Sequence, residues 1–278
     1  MFWEMKTRYL ILYNILAIIV MVVALLFIDS YLFTVSDDAV NTIFMAILYI
    51  IVPVLYFGYY FRKQNRPVQG ILFTAGMKEW IPRLAVLVFI LIAFSLSVFW
   101  LQLAALMPIA PWLVELFMEP VPMTTSPGFL VLEILFLAVI GPIAEEFMFR
   151  GVLLNRMIRK TSMWGGILIS SILFGVLHAD VLGAFMFGVI TSLLFIKTRN
   201  LLVPVMLHIF NNSLAVLAAY VAPTFPEALA LLEPADIYEK ALPNAAVLII
   251  ASILLGLFLT RLVRSMKPAK RSGQPSVS

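Results

Sequence analysis

The sequence predicts an all-α integral membrane protein, a bundle of about eight transmembrane helices with both termini cytoplasmic. Three observations carry this. Of the 278 residues, 63% are apolar and only 12% are charged, and the mean hydropathy is +1.05, far outside the range of soluble globular domains. Apolar segments of spanning length recur from near the first residue to near the last, which does not fit a cleaved secretory signal ahead of a soluble domain. Basic residues collect in every second connection, as a fixed orientation in a bilayer requires.

Taking roughly 20 apolar residues per span, helices are expected at Tyr9–Ile28, Val40–Phe61, Leu84–Met107, Phe129–Leu154, Trp164–His178, Val181–Ile196, Leu201–Val221 and Ala245–Leu262. The first is too long for a signal-peptide core and lacks a small-residue cleavage site, so it reads as a retained helix. Lys6 and Arg8 precede it, and Arg62, Lys63, Arg66, Lys78 and Arg83 join the second and third spans. Arg156, Arg159 and Lys160 follow the fourth, Lys197 and Arg199 the sixth, and Arg264, Lys267, Lys270 and Arg271 the eighth. The intervening connections are acidic, with Asp29, Asp37 and Asp38, then Glu115 and Glu119, then Asp180, then Glu227, Glu233, Asp236 and Glu239; Lys240 is their one basic residue. Both termini therefore face the cytoplasm. Trp164–His178 and Val181–Ile196 are short and separated only by Ala179 and Asp180, so tilted, partial or re-entrant helices also fit there.

Residues 1–266 read as one polytopic membrane domain, and 267–278, rich in Lys, Arg, Ser, Pro and Gly, as a disordered basic cytoplasmic tail near anionic lipid. Gly165, Gly166, Gly183 and Gly188 suit close helix contacts. The tryptophans fall mostly near predicted interfaces, and the 22 phenylalanines and 14 methionines read as apolar filling. No internal repeat is visible. There are no cysteines, which removes disulfides, thiolate metal sites and a cysteine nucleophile. The net charge of +4 suits anionic lipid. A nucleic-acid partner is excluded, because the basic residues sit in short loops between spans.

A charge near the bilayer centre costs on the order of 2.5–3.5 kcal/mol, so each one inside a span calls for a partner or a role. On the fourth span stand Gly141, Pro142, Glu145, Glu146 and Arg150. Pro142 cannot donate one turn back and permits a kink just before the acids. Glu146 and Arg150 are i and i+4 and can pair on one face, while Glu145 is rotated off it by about 100°. The arithmetic assigns Glu146–Arg150 to structure and leaves Glu145 free for chemistry as a general base; a buried ion network fixing helix packing is the plainer reading. His178 ends the fifth span, where a satisfied interfacial histidine is the ordinary case. His208 and Asn212 on the seventh are i and i+4, placed either to donate to a developing oxyanion or to clamp helices together. Glu133 and Asp180 read as solvated or capping residues, outside any site. The joint pattern favours chemistry, since the chain has two histidines in all and both fall within predicted spans along with the Glu-Glu pair.

Helix rise gives a test of convergence. Glu145, His208 and His178 lie about 6, 12 and 21 Å from the cytoplasmic side of a core about 30 Å thick. They meet only if Trp164 to Ile167 are interfacial and the fourth helix enters the core near Glu133. Glu145, His178 and His208 also supply two imidazoles and a carboxylate, a set that permits Zn²⁺ with an open position for water but does not require it.

Glu145, Glu146 and Arg150, then Phe174 and His178, then His208 and Asn212 stand in the order Glu-Glu-x-x-x-Arg, Phe-x-x-x-His and His-x-x-x-Asn on successive membrane helices. In these residues, over roughly 128–220, the sequence resembles the CAAX protease and bacteriocin-processing (CPBP, also called Abi) family of intramembrane proteases. The resemblance implies a multi-pass hydrolase, described as a metalloprotease, that cuts a membrane-associated peptide or protein, here in a prokaryotic cell membrane. It also implies roles: Glu145 and His178 activate a water, His208 and Asn212 hold the oxyanion, and Glu146, Arg150 and Phe174 orient the site. Two other classes remain as alternatives, a catalytically silent membrane immunity or binding protein and an ion-coupled transporter. Serine chemistry lacks a Gly-x-Ser-x-Gly setting.

Overall fold

A computed structural model describes residues 2–65, 70–119, 124–222 and 224–266. The predicted tail at 267–278 and Arg66 lie outside the described residues. Among those described the chain is helical throughout, and seven helices are long and apolar enough to cross a membrane. They are α1 (Thr7–Tyr31), α2 (Asp37–Gln64), α3 (Met77–Leu106), α5 (Pro127–Lys160), α7 (Val181–Thr198), α8 (Leu202–Val221) and α10 (Ala241–Arg264). The eighth expected segment forms the shorter apolar helix α6 (Met163–Gly175). Two short helices that no periodicity announced, α4 (Pro111–Met118) and α9 (Asp236–Glu239), fill acidic connections.

Local chemistry sets the ends. Ser36, Ser162 and Asp180 cap α2, α6 and α7 by accepting from the backbone N–H three residues on. Asn65 and Arg199 close α2 and α7 in the left-handed conformation. Helix α6 stops at Gly175, before the expected end at His178, and with 13 residues it spans about 20 Å. The 176–180 turn that follows therefore carries His178 within the bundle.

Two helices are irregular for one reason. In α2 and α5, π-helical runs at Ile47–Ile51 and Phe136–Ile140 end two residues before Pro53 and Pro142. A proline lacks the N–H for the carbonyl one turn back and crowds it, and one widened turn upstream relieves both problems. The expected kink at Pro142 is thus absorbed as a π-run. A second run, Phe147–Leu154, starts directly after Glu146, so both acids sit in a six-residue α-helical window, Gly141–Glu146.

The core gathers around α3, which packs against α7, α8 and α10, while α6 packs on α7. Leu84, Leu87, Val88 and Leu91 of α3 are buried against Ile190, Leu193 and Leu194 of α7 and Leu207 of α8. Gly188 permits the α6–α7 contact: a Cβ there would stand 3.0 Å from the Ser171 Cα. Helix α1 stays at the periphery, with most of its apolar side chains exposed.

Candidate active site

The short α-helical window of α5 turns Glu145 and Glu146 to different surroundings. Glu146 has no exposed surface; its Oε1 accepts from His208 Nδ1 at 2.8 Å and lies 2.9 Å from an Arg150 guanidinium nitrogen. The expected i, i+4 pair is present, and it extends to a histidine on α8 that no local spacing could reveal. Glu145 keeps 17% of its side chain exposed, with Oε2 3.8 Å from His208 Nε2. His208 thus stands between the two acids, held by Glu146 at Nδ1 and with Glu145 near Nε2.

Aromatic rings fix this chain in place. The Phe174 ring of α6 has the Arg150 guanidinium 4.4 Å from its centroid, the His178 ring at 4.5 Å and the His208 ring at 5.8 Å. Phe187 of α7 adds a second wall, 4.8 Å from His208 and 6.0 Å from Phe174. An arginine removed from water keeps part of its stabilisation by lying over a ring face. Phe187 carried no sequence signal beyond being one phenylalanine among many.

His178 reaches the same place from the 176–180 turn. Its Nδ1–H donates to the Phe174 carbonyl at 2.8 Å, leaving Nε2 as the free nitrogen. Helix α3 clamps the turn: Gln102 donates to the Ala179 carbonyl at 2.7 Å and accepts from Leu182 N at 3.4 Å. Asp180 caps α7 as expected, through Gly183 N at 2.9 Å, and it also accepts from the Ser95 hydroxyl. Burial pushes its carboxyl above the usual range, while Ser95, Gly183 N–H and nearby His178 pull it down.

His178, His208, Asn212 and Asp180 line one cavity of about 200 Å³, with Ser95 and Asn211 in its wall. Asp180 is therefore part of the site wall and not only a cap, which corrects the expectation that excluded it. Its position two residues after His178 was the available signal. Asn212 donates from Nδ2 to the Leu137 carbonyl at 3.0 Å; that oxygen belongs to the π-run ahead of Pro142. Glu145 meets His208 but does not line this cavity, and no direct contact joins Glu145 to His178. Glu133 is buried, not solvated, and faces Tyr220.

Sequence reasoning also missed Tyr49. It lies in the π-run of α2, its hydroxyl against the Glu145 carboxylate. Its ring would stand 3.6 Å from a Cβ placed at Gly141, one turn before Glu145. Nothing in the spacing of a mid-span tyrosine could announce that contact.

The residues do not assemble a metal site. Among the described residues no three His, Asp or Glu side chains form a group that could hold a metal ion. The Glu145, His178 and His208 set that permits Zn²⁺ is not drawn together here: His178 is tied to the end of α6, and Glu145 lies beside His208 and Tyr49, outside the cavity that His178 lines.

The geometry has a counterpart among known proteins. Residues 127–214 match the family model for type II CAAX prenyl endopeptidases, Rce1-like, an interval that holds all seven predicted site residues. An uncharacterised 24.3 kDa protein of Escherichia coli is 31% identical over 159 residues, which is 54% of this chain and 68% of that protein. The chain belongs to the Rce1-like CAAX protease family. Two named bacterial members are similar over shorter stretches. The putative membrane peptidase YdiL of Bacillus subtilis (strain 168) is 32% identical over 89 residues, 31% of this chain and 36% of that protein. The membrane-embedded CAAX protease MroQ of Staphylococcus aureus (strain USA300) is 31% identical over 93 residues, 30% of this chain and 38% of that protein. This Rce1-like chain thus spans little more than a third of the length of either. No solved structure matches it. Tyr49 and Ser95 lie outside the matched interval.

Proposed function

We propose that the protein is an intramembrane endopeptidase, hydrolysing a peptide bond of a membrane-associated peptide or protein in a prokaryotic cell membrane. The observation that carries this reading is the Glu145–His208–Glu146–Arg150 chain, buried in the bundle except at Glu145, beside a cavity lined by both histidines and Asn212. Glu145, the less buried acid, is the base. It takes a proton from a water whose oxygen attacks the scissile carbonyl carbon. His178 steadies that water through Nε2, since its Nδ1–H is engaged by the Phe174 carbonyl.

As the carbonyl π-bond opens, negative charge moves to its oxygen, which accepts from His208 Nε2–H and an Asn212 amide hydrogen. His208 acts here as the imidazolium, with Nδ1–H held by Glu146 and Nε2–H free to donate; the Glu146 carboxylate offsets its charge. Glu145 then returns its proton to the leaving amine as the C–N bond breaks. Glu146, Arg150 and Phe174 orient His208 and touch no reacting atom.

The test is cleavage of a panel of membrane-tethered peptides, with and without a CAAX end, by wild type, Glu145→Ala and His178→Ala, each with and without a chelator. Wild type is expected to cut, either substitution to lower the rate roughly 10²–10⁴-fold, and the chelator to change nothing. Equal cleavage by all three proteins would refute the assignment. Loss to the chelator with recovery on added Zn²⁺ would move the water onto a metal.

A further inference from the structure

Helices α1 and α2 do not close on each other along their length. Between them runs a groove of about 790 Å³ whose lining changes character from end to end. At the basic end stand Lys6, Tyr9, Tyr59 and Lys63; further in, Leu16, Val20, Ile51 and Leu55 take over. Tyr56 fixes the mouth by donating its hydroxyl to the Lys6 carbonyl at 3.2 Å.

The two ammonium groups are free to act. The Lys6 Nζ lies 5.4 Å from the Tyr9 ring centroid and the Lys63 Nζ 5.6 Å from that of Tyr59. Neither has a carboxylate partner among the described residues. The one acid of the groove is the exposed Glu4, so the mouth is cationic overall. Tyrosines around such a mouth suit the headgroup level of a membrane, and the apolar floor suits hydrocarbon.

We propose that this groove is a binding site for an anionic phospholipid, its phosphate between Lys6 and Lys63 and an acyl chain along Leu16, Val20, Ile51 and Leu55. A zwitterionic lipid brings a cation of its own to two lysines, and a soluble anion leaves the apolar floor uncovered. The site is separate from the peptidase chemistry. Val52, Tyr56 and Tyr59 of α2 face the groove, whereas Tyr49, Pro53 and Phe57, on another face of the same helix, line a hollow shared with α5. The proposal therefore stands whether or not the peptidase reading does.

Native mass spectrometry of the full chain, released from neutral detergent with equal amounts of phosphatidylglycerol and phosphatidylcholine of matched acyl chains, tests it. Wild type is expected to retain phosphatidylglycerol selectively. Each lysine is worth about 5-fold, so Lys6→Ala/Lys63→Ala should weaken retention roughly 25-fold. Ala17→Phe, which fills the apolar part without touching a charge, should weaken it as well. Lys78→Ala/Arg83→Ala, which removes equal charge from the start of α3, outside the groove lining, should leave it unchanged. Equal retention of both lipids by wild type would overturn the proposal, as would equal loss in the Lys78/Arg83 variant or displacement of the lipid by glycerol phosphate alone.

Discussion

Glu146 is closed in between Arg150 and His208, whereas Glu145 retains some exposure and lies against Tyr49. Adjacent residues on one helix therefore have opposite sensitivities. Glu146→Ala leaves Arg150 buried without its carboxylate and should cost about 3–5 kcal/mol in denaturant unfolding. Glu146→Met/Arg150→Met removes both charges, roughly keeps the packing volume and should recover most of that loss; activity stays low, because His208 has lost its anchor. Tyr49→Phe is the converse case. The ring stays packed beside Gly141, so melting should be unchanged, while loss of the hydroxyl beside Glu145 should lower the cleavage rate, by roughly 10-fold if it supports the base. The Glu146–Arg150 pair could be read from i, i+4 spacing alone. The contacts of Glu146 with His208 and of Tyr49 with Glu145 join residues far apart in the chain, and periodicity carries no information about which faces of two helices meet.

The elements that bear the site are the ones that depart from regular helices. Pro53 and Pro142 each force a π-run, and those runs bring Tyr49 and the Leu137 carbonyl to the Glu145–Asn212 region. The early end of α6 has a similar effect, because it turns His178 from a span residue into a turn residue clamped by Gln102 and Asp180. Helix α9 shows the same logic on the acidic side. Asp236 accepts from Leu232 N at 2.7 Å and Glu233 N at 3.2 Å and pairs with Lys240 at 2.9 Å. These partners, Lys240 first, hold its carboxyl below the usual carboxylate range. A depressed folded-state pKa stabilises above the unfolded value of about 3.9 and is lost as pH falls through the folded value. Amide exchange at Leu232 and Glu233 should accelerate as pH is lowered below about 4 relative to the intrinsic rate, and Asp236→Asn should remove that pH dependence. An unchanged protection profile in the variant would show that Lys240 donation to the Ala230 carbonyl holds the loop by itself.

At the scale of the molecule, the alternation of basic and acidic connections runs through the described loops as it does through the sequence. Reporter fusions after Lys63, Arg159, Lys197 and Arg264 should report a cytoplasmic location, and fusions at Asp37, Glu115 and Glu233 the opposite face. Opposite signals at Arg159 and Lys197 would mean that only one of α6 and α7 crosses. The depth arithmetic explains how the site assembles despite helices of unequal length. Helix α5 runs 34 residues, about 50 Å, well past a single bilayer core, while α6 is too short to cross one. The mismatch lets Arg150 in the middle of α5 meet Phe174 at the end of α6, whose ring in turn contacts His178.

Composition and charge placement sufficed to establish a membrane bundle, because a bilayer imposes its thickness and its charge asymmetry on every helix independently of the others. They also drew attention to the polar groups inside spans, which are too costly to occur there without a partner or a role. Only the tertiary structure decided that Glu146 holds His208, that Tyr49 lies beside Glu145 and Phe187 beside His208, and that Asp180 lines the cavity of both histidines. Those outcomes depend on helix rotation and on where a proline widens a turn. A shift of a single residue in that register moves a side chain by about 100° around its axis, and no local rule in the sequence records it.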